Sequence, residues 1–321
     1  MNYKPIILVG GEPYSIFFEI FFKSIKKKKI KNPIIVISSK KLMISQMKKL
    51  NFYYKINLIN PEKMVLKNLN NNMINIVNIN FNFKKPFDKI SDKSNFFIEE
   101  SFNMALNLLK KYECSGLING PISKKNFLKD KFLGITEYLA HKTNKRNKVA
   151  MLIYNKKLSV SPLTTHLPLK EVHKNISKER IINHVNLIKN FYIKQIKKKP
   201  RIGVTGLNPH CESNYKSSEE KKIINPSIKY LLKKNFNIKG TFPADTIFMK
   251  ENLKKFDVII GMYHDQVLTP IKTLYGFDAI NITLGLPFIR ISPDHGPNSQ
   301  MLGKNLSNPK SLIEALKFLD K

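Results

Sequence analysis

His166, His210 and His264 each stand just past an apolar run that reads as a β-strand: "LSVSPLTTH", "RIGVTGLNPH" and "FDVIIGMYH". In an open α/β sheet the carboxyl ends of the strands form the ligand crevice, so three histidines far apart in sequence can meet there. Three neutral imidazoles with one position left open describe a catalytic divalent-metal site, most naturally for Zn²⁺ or another transition ion. For any one of them the competing reading is a solitary histidine that caps a loop or bonds a backbone group. Recurrence at corresponding strand ends favours the metal. His173 and His184 fall in helical stretches and read as structural or surface residues.

The same edge carries cations. Lys272 follows His264 by eight residues, Arg290 ends "LGLPFIR", and Asn281 lies in the strand before it. The chain has only four arginines, Arg146, Arg180, Arg201 and Arg290, among 56 basic residues, so an arginine kept here suggests a planar fork for phosphate or carboxylate. The alternative is a surface salt bridge. The implied ligand is a phosphorylated, anionic small molecule.

Short apolar runs alternate with helical stretches, which signifies βαβ units and a parallel sheet covered on both faces. Strands are expected at 5–10, 32–38, 115–120, 201–207, 256–262 and 279–285, and helices at about 13–29, 40–49, 92–111, 177–196 and 217–234. In "LNNNMINIVNINFNF" Val77, Ile79, Phe81 and Phe83 alternate with asparagines, the period of a half-exposed strand at an arm or edge. "KVAMLIYNKKLSVSPL" reads as two strands around a tight turn, which makes the sheet mixed. Asn308 and Pro309 mark the start of a closing helix. The expected architecture is one α/β unit, 1–321, in two discontinuous lobes, the central one roughly 120–260 and the other built from both ends. Gly10-Gly11 lacks the spacing of a dinucleotide loop, and no Walker A sequence is present.

The 321 residues are 42% hydrophobic with 21 Phe and 12 Tyr, too apolar for a disordered chain. The formal net charge of +33 would ordinarily suggest a polyanion partner. Lysine is nevertheless scattered from end to end, Asn and Ile abound and Trp is absent, so we read the charge mainly as the mark of an AT-rich genome. The runs "KSIKKKKIK" and "KQIKKKPR" look like helix tails and connectors rather than a nucleic-acid surface. DNA binding that persists at physiological salt would reverse this reading. Cys114 and Cys211 form no CxxC pair, the opening apolar stretch is too short for a signal core, and no run reaches a membrane span. A soluble cytoplasmic protein with no nucleic-acid or membrane partner is expected.

Taken together, "NGPISK" at 119–124, "FLGITEYLA" at 132–140, "THLPLKEV" at 165–172, "GLNPH" at 206–210, "GTFPADTIF" at 240–248, "MYHDQ" at 262–266 and "NITLGLPFIRISPDHG" at 281–296 resemble the 4-hydroxythreonine-4-phosphate dehydrogenase family of vitamin B6 biosynthesis. "GGEPYSIFFEI" at 10–20 is more weakly similar. The resemblance implies an isocitrate/isopropylmalate-dehydrogenase-like two-lobed fold with a mixed central sheet. It implies a homodimer with its active site at the interface. It further implies NAD- or NADP-dependent oxidation of 4-phosphohydroxy-L-threonine, with CO₂ loss from the oxidised product. By motif, His166, His210 and His264 match the metal ligands, for Zn, Mg or Co, with His264 coming from the partner subunit. Thr136, Lys272, Asn281 and Arg290 match substrate contacts. Lys272 and Arg290 would hold the anionic ends of the substrate, while Asp265 and Asp245 would orient imidazoles or relay protons, or serve structure alone. The residues that bind the nicotinamide cofactor are not apparent.

Two departures stand out. Ile135 occupies the position of a family histidine, and Ser15, Phe17 and Phe18 replace small and proline residues in what is expected to be a tight first turn. A related activity, on phosphorylated threonate or erythronate, is the alternative within the family. A basic nucleic-acid-binding protein is the alternative outside it.

Overall fold

The computed structural model describes residues 4–129, 131–211, 217–276, 278–293 and 296–320. In chain order the elements are β1 Ile6–Val9, α1 Phe17–Lys27, β2 Ile34–Ser38, α2 Lys40–Lys49, β3 Ile56–Leu58 and β4 Ile74–Asn78. Next come α3 Asn95–Lys111, β5 Gly116–Asn119, α4 Ile135–Lys142, β6 Ala150–Tyr154 and β7 Ser159–Pro162. Then follow α5 Leu169–Val172, α6 Lys178–Phe191, β8 Ile202–Thr205, α7 Asn225–Lys233, β9 Ile238–Phe242, α8 Ala244–Ile247 and α9 Lys250–Leu253. β10 Val258–Gly261, α10 His264–Tyr275, β11 Ile280–Leu284, β12 Arg290–Pro293 and α11 Lys310–Leu319 complete the chain.

Two compact units result, Met1–Ile135 with Phe288–Lys321, and Thr136–Pro287. The sequence placed its central lobe at roughly 120–260.

In the first unit the strands lie in the order β3-β4-β2-β1-β5-β12, all parallel. β1, with the run IILV, is buried at every position, as a strand covered on both faces must be. α3 packs on β1 and β2, and α11 on β12 and β5. The Ser39 hydroxyl caps α2 by accepting from the Leu42 amide at 3.3 Å.

After β1 the chain passes close to the end of β5. A Cβ on Gly120 would lie 2.2 Å from the Gly10 carbonyl oxygen, and Gly11 has φ +73°, so both positions need glycine. Phe17 and Phe18, expected in a tight turn, instead open α1 and are buried, with Phe18 stacked on Phe22 at 5.9 Å. Their bulk belongs to the core, where burying such a ring contributes about 1.5–3 kcal/mol.

Alternation also misleads at Ile74–Asn78. β4 is an inner strand, buried from Ile74 to Val77, and β3, which the sequence did not reveal, is the edge. The polar position in it, Asn75, is satisfied internally by donating to the Ile34 carbonyl at 3.2 Å and the Asn70 carbonyl at 2.8 Å.

The second unit has the order β11-β6-β7-β10-β8-β9. β6 runs antiparallel to both β11 and β7, whereas β7, β10, β8 and β9 are parallel, so this sheet is mixed. Its core gathers Ile153, Val160, Ile259, Val267 and Ile271, with α10 packed on β7 and β10. The Ser177 hydroxyl caps α6 by accepting from the Arg180 amide at 3.2 Å.

Candidate active site

β7, β10 and β8 lie side by side in the second unit, with Ser161 and Val204 both level with Ile260. Their carboxyl ends therefore coincide, and the segments leaving them carry His166, His264 and His210 in that lateral order. Each segment is fastened at its root. The Leu163 amide donates to the Gly261 carbonyl at 2.8 Å, and the Thr164 hydroxyl donates to the Met262 carbonyl at 2.7 Å.

His264 is the first residue of α10, and its Nδ1 lies 2.6 Å from Asp265 Oδ1. The His166 ring stands beside it, the centroids 5.8 Å apart and the planes at 40°. His210 is exposed in a short turn, with φ 57° and ψ 6°. Just before it the chain is held by Glu220. Its Oε1 accepts from the amides of Leu207 at 2.8 Å and Asn208 at 2.9 Å, and its Oε2 from Asn208 Nδ2 at 2.9 Å. Burial alone would raise the Glu220 pKa, but these donors outweigh it and leave the carboxyl below its ordinary 4.5. Among the described residues, no three His, Cys, Asp or Glu side chains are placed together so as to hold a metal ion.

Thr136 and Asn281 gather on one face of β11. Thr136 Oγ1 lies 3.3 Å from Thr283 Oγ1, and Thr283 shares its face with Asn281 through the two-residue period of the strand. Among the described residues the buried Asn281 Oδ1 meets no hydrogen-bond donor. An orphaned buried acceptor requires an explanation, and a bound donor supplies one. Lys272 is exposed on α10, roughly 12 Å along the helix from His264. Asp245 is exposed in the first turn of α8.

Arg290, in the first unit, opens β12 and is fully buried rather than a surface ion-pair residue. Its Nε donates to Asn119 Oδ1 at 2.7 Å, and Asn119 Nδ2 donates to the Gly120 carbonyl at 2.8 Å. In the same unit burial pushes the Glu12 carboxyl up to about 7, against the pull of the Ser94 side chain and the Tyr14 backbone.

His184 is buried in α6 with Nε2 2.7 Å from Ser161 Oγ, a structural pair. His295 and Asp294 lie outside the described residues. Thr164 and Glu220 carry no signature in the sequence that would have singled them out, and Asn119 was visible only as the first residue of "NGPISK". Gln266, which accepts from the Met262 amide at 2.7 Å and donates to the Gly206 carbonyl at 2.8 Å, was visible only as the last residue of "MYHDQ".

The family model described as pyridoxal phosphate biosynthetic protein PdxA matches residues 29–319. A 4-hydroxythreonine-4-phosphate dehydrogenase from Sulfurihydrogenibium is 38% identical over 318 residues, 96% of this chain and 95% of its own. A provisionally named D-threonate 4-phosphate dehydrogenase from Oceanobacillus iheyensis is 35% identical over 235 residues, 72% of this chain and 70% of its own. The crystal structure of a 4-hydroxythreonine-4-phosphate dehydrogenase from Klebsiella pneumoniae superposes with a TM-score of 0.83 at 26% identity, covering 98% of each chain.

Proposed function

The chain belongs to the pyridoxal phosphate biosynthetic protein PdxA family, and from that premise we propose that it oxidises 4-phosphohydroxy-L-threonine with NAD or NADP. The product, 2-amino-3-oxo-4-phosphooxybutanoate, then loses CO₂ to give 3-amino-2-oxopropyl phosphate. The observation that carries this reading is the placement of His166, His264 and His210 at one edge of the sheet, at the carboxyl ends of β7, β10 and β8, the edge that in this reading would meet a second protomer.

The donor set suits a divalent ion, with Zn, Co and Mg the candidates. Imidazole is a ligand of Zn and the transition ions, and a carboxylate against Nδ1 of His264 is the usual means of fixing the tautomer of a ligating histidine. When bound, such an ion would supply Lewis acidity toward the substrate hydroxyl and the later ketone, and a nicotinamide would supply the hydride acceptor. The rest is positioning. Lys272 and Arg290 hold the anionic ends of the substrate, and Arg290 is itself aimed by Asn119. Asn281 Oδ1 accepts from a substrate donor, and Thr136 contacts the substrate beside it. Asp265 orients His264, and Asp245 serves as a proton relay near the turn after β9. In this reading the working form is a cytoplasmic homodimer whose active site lies at the interface, with His264 supplied across it.

Metal analysis of protein purified without chelator, paired with His264→Ala, tests the proposal. The native protein should carry metal and the variant should lose both metal and turnover. A variant that retains both refutes the histidine set.

A second reading, oxidation of a phosphorylated threonate, is favoured by Ile135 at the head of α4 beside Thr136, where the family motif has a histidine. Product analysis with both substrates separates the two. Efficient turnover of the threonate alone would replace the first reading.

A further inference from the structure

Two hydroxyls meet in the second unit, on the face of β11 that carries Asn281. Thr283 is buried in that strand, with Ile282 and Leu284 buried on either side of it. Antiparallel pairing with β6 holds it opposite Met151, and Asn281, two residues back on the same face, opposite Ile153. A β-branched side chain in a paired strand has little rotamer freedom, so the sheet sets the direction of the Thr283 hydroxyl. Thr136, in the first turn of α4, is half-buried, and its Oγ1 lies 3.3 Å from Thr283 Oγ1. That separation is long for two hydroxyls, which makes the contact a bias on the Thr136 rotamer that a bound ligand completes.

We propose that Thr283 is a positioning residue whose hydroxyl donates to Thr136 Oγ1 and so turns the Thr136 proton toward an anionic oxygen of the substrate. The inference deepens the proposed function and rests on Thr136 being a substrate contact. Both residues belong to one unit of one chain, so the pairing is independent of where the histidines meet. The direction of the bond follows from counting protons. Each hydroxyl has one proton to give and can also accept. An ionised phosphoryl or carboxylate oxygen only accepts, so Thr136 must donate to it, and Thr283 must then be the donor to Thr136. Valine at 283 has the same shape but no proton to give, whereas serine keeps the proton and loses the methyl group that fixes the rotamer.

The test is steady-state kinetics of the native protein, Thr136→Val, Thr283→Val and the double variant, with 4-phosphohydroxy-L-threonine and with phosphorylated threonate, and with thermal melting as a check on folding. On whichever substrate is turned over, Thr136→Val should raise KM about tenfold and Thr283→Val about fivefold, with kcat changed less than about threefold. Because Thr283 acts through Thr136, the double variant should be no worse than Thr136→Val, whereas two independent contacts would multiply to about 50-fold. Thr283→Ser should recover most of the native KM. A native KM in Thr283→Val beside a raised one in Thr136→Val, or multiplied effects in the double variant, overturns the proposal and leaves the substrate reading standing. A native KM in Thr136→Val removes Thr136 from the site, and the proposal with it. If the native protein turns over neither substrate, the proposed function fails, and the same proteins are titrated calorimetrically with inorganic phosphate. Equal weakening in the three variants then upholds the pairing, and native affinity in Thr283→Val, or no binding by the native protein, overturns it. Should Thr283→Val not fold, Thr283→Ala is read in the same way.

Discussion

Asp265 Oδ1 sits 2.6 Å from His264 Nδ1, so the residue next in sequence fixes the imidazole that opens α10. Asp265 is itself exposed, and its removal should cost little stability. Asp265→Ala should therefore weaken divalent-ion binding about tenfold while melting close to the native temperature. Co²⁺ titration alongside calorimetry checks both. A large loss of melting temperature without weaker binding would mean that the contact serves folding alone.

The Asn119–Arg290 contact should behave differently, because the guanidinium is fully buried. Asn119→Ala leaves a charged donor without that acceptor and should lower stability by about 1–3 kcal/mol in urea denaturation. Arg290→Lys keeps the charge but not the planar fork. We expect it to raise KM for the phosphorylated substrate about tenfold with a smaller change in kcat.

Two buried groups give stability opposite pH slopes. Burial raises Glu12 from 4.5 to about 7, so between those values the folded chain keeps a proton that the unfolded chain has released. Stability then falls as pH rises through that window. Glu12→Gln should remove the fall, gaining up to about 3 kcal/mol over the native protein between pH 5 and 8. Burial, and after it the Arg180 charge, lowers His184 from 6.5 to about 3. The unfolded chain takes up a proton below 6.5 while the folded one does not, so stability is lost as pH drops. His184→Gln should flatten that acid limb. Urea denaturation at pH 4, 5, 6.5 and 8 reads both slopes.

Ile135→His restores a hydrogen-bond donor at the head of α4, next to Thr136. If the site takes 4-phosphohydroxy-L-threonine, its KM should drop about tenfold in steady-state kinetics. If threonate phosphate is the native substrate, the same change should lower kcat/KM for it instead.

The strands that carry the histidines were legible because each is a short apolar run that ends in turn residues. β9 and β12 were not, since IKGTF and RISP hold charges, glycine and proline where a strand pattern calls for apolar residues. β4 was assigned its wrong exposure because alternation reports only polarity, and Asn75 meets its bonding needs inside the sheet. The histidines and Arg290 could be singled out by type, rarity and place. Gln266 and Glu220 could not, because their partners, many of them backbone groups, lie up to 61 residues away, and such pairings exist only once the strands are side by side.

The near-touching of Gly10 and Gly120 also sets a limit on how this chain can evolve. Under the codon pressure that filled it with Lys, Asn and Ile, GG-initial triplets erode toward those of Asp, Glu, Ser and Arg. At Gly120 every such change drives a new carbon against a main-chain oxygen 2.2 Å away, which no rotamer can relieve. Nucleotide drift and chain geometry thus collide at this crossing, and lineages that survive the drift must keep the triplet.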